Sequence, residues 1–271
     1  MTQTGSPQRT GLDRASLERA LEVAERAADA ARAETTPRFR SVEVETKADG
    51  SPVTEADREA ERAIREVLRE AYPEHAILGE EGGREGDDGA RLRWVIDPID
   101  GTIAFSRGLP LYSTLIALVE DGQTVAGLID LPGLGERYTA TLGGGCFRNG
   151  QPVRVSQAHD LQRSLISHGD PFCFERAGQR AFFDRLAREV PFLRGYTDAF
   201  GHSLVIGGGV DAMVDLDLNE WDAAATRLLV REAGGECVVR EFPDGKVGLV
   251  LGSPALVEEL SGWFESRSPQ A

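Results

Sequence analysis

The stretch WVIDPIDGT, residues 94–102, runs three core-type side chains straight into two aspartates, a proline and a Gly-Thr pair. Charge at the end of a buried strand is penalised unless something answers it. Pro98 fixes its own φ and biases Asp97 toward an extended shape, so the chain can bend there and turn Asp97 and Asp100 toward one point. The carbonyl of Ile99 lies between them as a further oxygen. Gly101 and Thr102 then offer consecutive backbone N–H groups, a nest able to take a phosphate oxygen. Oxygen ligands for a hard divalent cation, magnesium first among them, followed by amides for phosphate, form a phosphoryl-transfer layout. The same DPxDG is also ordinary turn chemistry, since Asp and Gly favour bends.

Carboxylates recur at two further places where an apolar element meets a turn or a helix start. These are Glu80-Glu81 in LGEEGG (78–83) and Asp222 in NEWDAAA (219–225). Brought together, the three stations would repel one another unless cations held them. Each also has a plainer reading. Thr54 to Asp57 form a capping box with Asp as the third partner, Asn219 with Asp222 allows the same, and Glu80-Glu81 suit a solvated loop.

Outward from these stations the periodicity predicts a long first helix over 12–32, a short strand in SVEVET (41–46), a polar loop over 46–52 and a second helix over 55–72, N-capped by Thr54. HAILGEEGG (75–83) reads as a strand leaving the core into a Gly-rich loop. From 92 the texture is β: strands at 92–96, 111–121, 124–132 and 136–142, then an Asn149-Gly150 hairpin with VRVS (153–156) behind it. Past 160, strands (164–168, 192–196, 211–216) alternate with helices near 175–189, 199–208 and 221–233. Two more strands (236–240, 247–252) and a helix over 254–264 close the chain. That alternation implies a layered α/β protein, with an α+β half over 1–160 and an α/β half over 161–271 joined as one body.

The chain has 271 residues and a net charge of -15, which disfavours a general nucleic-acid surface. No apolar run reaches the roughly 20 residues of a membrane span, and residues 1–10 lack a signal-peptide pattern, so a cytoplasmic protein with no membrane partner is expected. The three cysteines have no CxxC spacing, as reduced thiols would. The acidic run at 84–89 reads as a solvated loop, and lysine occurs only at 47 and 246.

The set TEAD (54–57), GEE (79–81), WVIDPIDGT (94–102) and WDAAATRLLVREAGG (221–235) resembles the inositol monophosphatase superfamily of lithium-sensitive, magnesium-dependent phosphomonoesterases. The resemblance runs from about Leu12 to Leu260. It implies an αβαβα sandwich of the inositol monophosphatase/fructose-bisphosphatase type, a homodimer, and two or three Mg2+ ions per site. By the same resemblance Glu80, Asp97 and the Ile99 carbonyl hold the first ion, Asp97, Asp100 and Asp222 the second, and a looser third ion shares Glu80. Asp57 and Thr102 orient and deprotonate the attacking water, the amides of Gly101 and Thr102 hold the phosphate, and Asp222 also lies near the departing alkoxide.

The segment LRGYTDAFGHSLVIGGGVDAMVDLDLNEWD (193–222) looks like the histidinol-phosphatase branch. An ammonium-bearing phosphate would find counter-ions in Asp198 and Asp215, with Asp100 and Asp222 close to the substrate and Arg194 contacting either it or Asp198. Asp198 as a helix N-cap and His202 as a satisfied polar residue are the plainer readings. The expected activity is hydrolysis of histidinol phosphate, a step of histidine biosynthesis. Inositol 1-phosphate is the alternative substrate; a nucleotide 3′-phosphatase and a non-catalytic regulatory module stand behind it. One departure from the family pattern is Ile103-Ala104 where a polar pair usually follows DGT.

Overall fold

The computed structural model describes residues 10–47, 50–87 and 89–264. Residues 1–9, Ala48 and Asp49 of the polar loop and Asp88 of the acidic run lie outside them. Helix α1 (Arg14–Arg38) starts at Asp13, whose side chain accepts the N–H of Ser16. It runs past the expected end at Arg32 because its buried face continues to Thr35. Strands β1 (Val44–Thr46) and β2 (Pro52–Thr54) form a small antiparallel pair leading into α2 (Glu55–Ala71). Ala60, Ile64 and Leu68 of α2 recur every four residues and pack with the small residues of α1.

Eight strands follow: β3 (Ala76–Gly79), β4 (Gly83–Glu85), β5 (Leu92–Asp100), β6 (Ser113–Glu120), β7 (Gln123–Leu131), β8 (Glu136–Thr141), β9 (Gly145–Arg148) and β10 (Gln151–Pro152). A five-residue helix, α3 (Thr102–Ser106), interrupts them after β5. They form one sheet in the order β10-β9-β8-β7-β6-β5-β3-β4, in which β5 to β10 make the expected antiparallel meander and β3 runs parallel to β5. Every residue of β6 and all but the first of β7 are buried, which accounts for their continuous apolar runs: both faces of the sheet are covered.

The rest of the chain gives β11 (Leu165–His168), α4 (Pro171–Arg176), α5 (Arg180–Glu189), β12 (Phe192–Arg194), α6 (Asp198–Ile206), β13 (Ala212–Leu218), α7 (Glu220–Glu232), β14 (Glu236–Glu241), β15 (Val247–Gly252) and α8 (Pro254–Ser261). Its five strands pair as β12-β11-β13-β15-β14. Three apolar clusters define the layers. One joins α1 and α2 to the outer face of the large sheet, the second sets α6 and α7 between the two sheets, and the third backs the small sheet with α4, α5 and α8. The result is the αβαβα sandwich.

Three local expectations are corrected. VRVS is not a strand: only Gln151–Pro152 pairs, after which Val155 leaves the sheet, donates its N–H to Ala233 O and packs beside the end of α7. The helix expected over 175–189 is two helices, because Gly178 takes φ +65° and ends the first; Asp170 and Pro171 start that first helix earlier than expected. Helix α3 has no counterpart in the sequence reading, since five residues are too few to show a period. All three cysteines are free.

Candidate active site

In a regular strand, residues three apart face opposite sides. The pairing of β5 with β6 slips by one residue between Asp97, opposite Leu115, and Asp100, opposite Ser113. This bulge turns both carboxylates to one side, the bend expected of Pro98. Asp97 Oδ1 accepts the N–H of Ile99 at 3.0 Å, and Thr114 Oγ1 donates to Pro98 O at 2.8 Å, so the bulge is pinned from within and from β6. Asp100 Oδ2 accepts from Ser113 Oγ at 2.9 Å and from the N–H of Ala199 at 2.7 Å.

The third carboxylate arrives on α7. Asp222 closes a capping box with Asn219 and accepts its N–H at 2.7 Å. Lys246, from the β14–β15 turn, donates to Asn219 Oδ1 at 2.7 Å. The capping role and the candidate ligand role therefore fall on one residue. Oxygens of Asp97, Asp100 and Asp222 all lie within 4.8 Å of one another. Burial, then the neighbouring carboxylates, raises Asp97 and Asp100 well above the usual range. Asp222 is pushed up to about 7, chiefly by burial. Three carboxylates that resist ionising side by side, Asp97 and Asp100 buried and Asp222 half-buried, could hold a cation by their chemistry.

Glu80 stands beside that triad, at the end of β3. Its loop is shaped by Glu61 of α2, a buried carboxylate missed in the sequence because it looks like any helix-surface charge. Glu61 accepts the N–H groups of Glu81 and Gly82, each at 2.8 Å, and pairs with Arg65 at 2.7 Å. Gly79 and Gly82 are required there, since a Cβ on either would stand 2.6–2.7 Å from the Glu61 carboxylate. Lys47 Nζ donates to Glu80 Oε1 at 2.8 Å and to Glu81 Oε1 at 2.6 Å, and these two carboxylates raise its pKa against the opposing effect of burial. Burial, then Glu80, pushes Glu81 up to about 7 despite the Lys47 contact.

Asp57 also serves two purposes at once. Its Oδ2 accepts from Thr54 N–H at 2.8 Å and Thr54 Oγ1 at 2.5 Å, closing the capping box of α2. Its Oδ1 faces Thr102 Oγ1 at 3.1 Å, which in turn is 3.0 Å from Ile99 O. Burial raises the Asp57 pKa against the lowering effect of these hydrogen bonds. Gly101 takes φ +81° ahead of α3, a conformation that favours glycine and sets its amide beside that of Thr102.

Of the residues expected at the substrate outside the triad, Asp198 comes closest to this centre: its Oδ2 lies 3.4 Å from where a Cβ on Gly101 would stand. Asp198 has φ +60°, and burial, followed by Asp215, lifts its pKa to about 6. The N-cap of α6 is Thr197, so Asp198 is not the cap that its position suggested. Asp215 is buried and bonded to His202 at 3.1 Å. Arg194 is exposed and donates to the carbonyl of Leu193 at 2.7 Å, turned along its own strand rather than bonded to Asp198. Ile103, in the departing pair, is 65% exposed and takes no part in the carboxylate centre.

The profile of the inositol monophosphatase family matches residues 13–259. A histidinol-phosphatase of Chlorobaculum parvum is 40% identical over 223 residues, covering 82% of this chain and 84% of that protein. Nus factor SuhB of Escherichia coli K12 is 36% identical over 232 residues, covering 81% and 85%. Among solved structures, an inositol monophosphatase from Zymomonas mobilis superposes with a TM-score of 0.80 at 34% identity, covering 92% of this chain and 99% of that one.

Proposed function

The chain belongs to the inositol monophosphatase family and is a phosphomonoester hydrolase, and on that premise we propose that its substrate is histidinol phosphate, hydrolysed with magnesium. The observation that carries the substrate is the second carboxylate pair. Asp198 stands beside Gly101, and Asp215 is the leading neighbouring charge acting on Asp198. Two carboxylates beside a phosphate site suit a substrate that carries an ammonium group next to its phosphate. An inositol ring would bring only hydroxyls to the same place. The likeness to a histidinol-phosphatase supports the same reading.

The donor set fits magnesium: hard oxygen ligands, several of them ionisable, with Lys246 close enough to act on Asp222 but bonded to Asn219 instead. Glu80, Asp97 and the Ile99 carbonyl would hold one ion, Asp97, Asp100 and Asp222 a second, and Glu80 would share a third. Bound there, magnesium supplies positive charge to the phosphoryl oxygens and acidifies a nearby water. The amides of Gly101 and Thr102 hold the phosphate. Thr102 Oγ1 orients the water, and Asp57 Oδ1, made more basic by burial, receives the proton through that hydroxyl. Asp222, as a ligand of the second ion, would stand on the side where the alkoxide departs and hold positive charge against it. The assembly expected is a homodimer, in the cytoplasm.

A panel of phosphomonoesters assayed with magnesium and with chelator tests the reading. Histidinol phosphate should give the highest kcat/KM, and all turnover should stop in chelator. Inositol 1-phosphate turned over far faster would replace the substrate, and a 3′-phosphonucleotide would do the same for the third reading. No hydrolysis of any ester would favour the regulatory module.

A further inference from the structure

His202 has no part in the chemistry above, yet it is 1% exposed and sits where three elements meet. Gly201 lets α6 press close to its neighbours: a Cβ there would overlap the carbonyl of Tyr196 and crowd Met213 of β13. The adjacent His202 is thereby wedged between β13 and α7. Its Nδ1 lies 2.9 Å from Thr226 Oγ1 and its Nε2 3.1 Å from Asp215 Oδ2. The nitrogen facing a carboxylate is the one that carries a proton, so Nε2–H donates to Asp215, and in the neutral ring Nδ1 accepts the Thr226 hydroxyl. The other Asp215 oxygen fills the space beside Gly169 that a Cβ would need. Asp215 is thus held on one side by a hydrogen bond and on the other by packing, with its charge directed at Asp198.

We propose that His202 is a positioning residue that fixes Asp215 as a receptor for the substrate's cationic amine, and so sets the preference for amine-bearing over amine-free phosphomonoesters. The proposal rests on the histidinol-phosphate reading. His202 touches neither the Asp97–Asp100–Asp222 triad nor Asp57, so its loss acts on amine recognition and leaves the phosphoryl chemistry intact. A buried His–Asp pair that only supported the fold would, when broken, weaken every substrate alike.

The test compares full-length wild type, His202→Ala, His202→Gln and Thr226→Val, each with magnesium, on histidinol phosphate, inositol 1-phosphate and p-nitrophenyl phosphate. Removing one hydrogen bond to a charged group predicts that His202→Ala raises KM for histidinol phosphate about tenfold, with kcat little changed. Its kcat/KM for p-nitrophenyl phosphate should stay at the wild-type value. His202→Gln, whose amide can donate in place of Nε2–H, should recover part of the loss. Should His202→Ala not fold, Thr226→Val carries the same test, because it frees Nδ1 and loosens the ring. Parallel loss on all substrates, or no change on histidinol phosphate, overturns the inference. A wild type that does not prefer histidinol phosphate overturns the substrate reading and this inference together; a wild type that does, with an unchanged variant, overturns this one alone.

Discussion

Replacing Asp222 by Asn separates the cost of a crowded carboxylate centre from its use. Without a divalent cation, burial and nearby carboxylates lift Asp222 from 3.8 to about 7. A carboxyl whose pKa is higher folded than unfolded holds its proton more tightly in the folded state. Its favourable contribution is complete below about pH 4 and is lost as pH rises through about 7. A rise of roughly three pH units, at about 1.4 kcal/mol each, sets the cost of the ionised group at about 4 kcal/mol. Asn keeps the volume and the oxygen that accepts from Asn219 N–H, and it carries no charge. In chelator at pH 8 the Asn variant should therefore melt above wild type by up to about 8 °C, taking about 2 °C per kcal/mol for a chain of this size. The gap should narrow as pH falls below about 7 and close only at about pH 4, where Asp222 is protonated folded and unfolded alike. Magnesium should raise the Tm of wild type more than that of the variant and narrow or reverse the gap at pH 8. Differential scanning calorimetry over that pH range, with chelator and with magnesium, reads all of this. A gap independent of pH, or a less stable Asn variant in chelator at pH 8, would refute the reasoning.

Asp97→Asn should abolish phosphatase activity while the circular dichroism spectrum stays native, and retained turnover would contradict its place in the cation site. Glu61→Gln must aim its amide NH2 at Arg65 Nε or at a loop N–H, costing about 2 kcal/mol. Thermal unfolding should show that loss, and magnesium titration of activity should show a higher half-saturation as Glu80 loosens; an unchanged titration would detach Glu61 from the centre. Gly101→Ala puts a Cβ at φ +81° and 3.3 Å from Leu111 O, at a cost of roughly 1–2 kcal/mol. Its kcat should fall well beyond what that loss of stability explains, and full activity would argue against the Gly101–Thr102 nest.

The centre was legible in sequence where chemistry and spacing coincide. DPIDGT announces a bend with two carboxylates, and Thr54–Asp57 and Asn219–Asp222 announce helix starts. The capping boxes and the candidate site fall on the same residues, because a carboxylate at a helix N-terminus is already fixed by backbone amides and needs only a second oxygen turned inward. The bulge in β5 was hidden, since a one-residue slip depends on the partner strand, more than ten positions away. Glu61 was hidden because burial of a helix carboxylate follows from the loop that folds over it. His202 showed only as a polar residue on an apolar helix; its partners lie on β13 and α7, and no spacing connects them. The meander and the later strand–helix alternation followed from periodicity, whereas VRVS failed because tertiary packing of Val155 outweighed local β pattern.

Among 30 basic residues the chain has two lysines, 47 and 246, and both sit at this centre. Amine-directed reagents therefore find side-chain targets only there. Lys47, clamped between Glu80 and Glu81 with its pKa raised, is held in the protonated form that does not acylate. A cation that takes over Glu80 removes half of that clamp. The acylation rate of a single lysine, followed by mass spectrometry of one peptide, then becomes a chemical gauge of metal loading that requires neither substrate nor turnover.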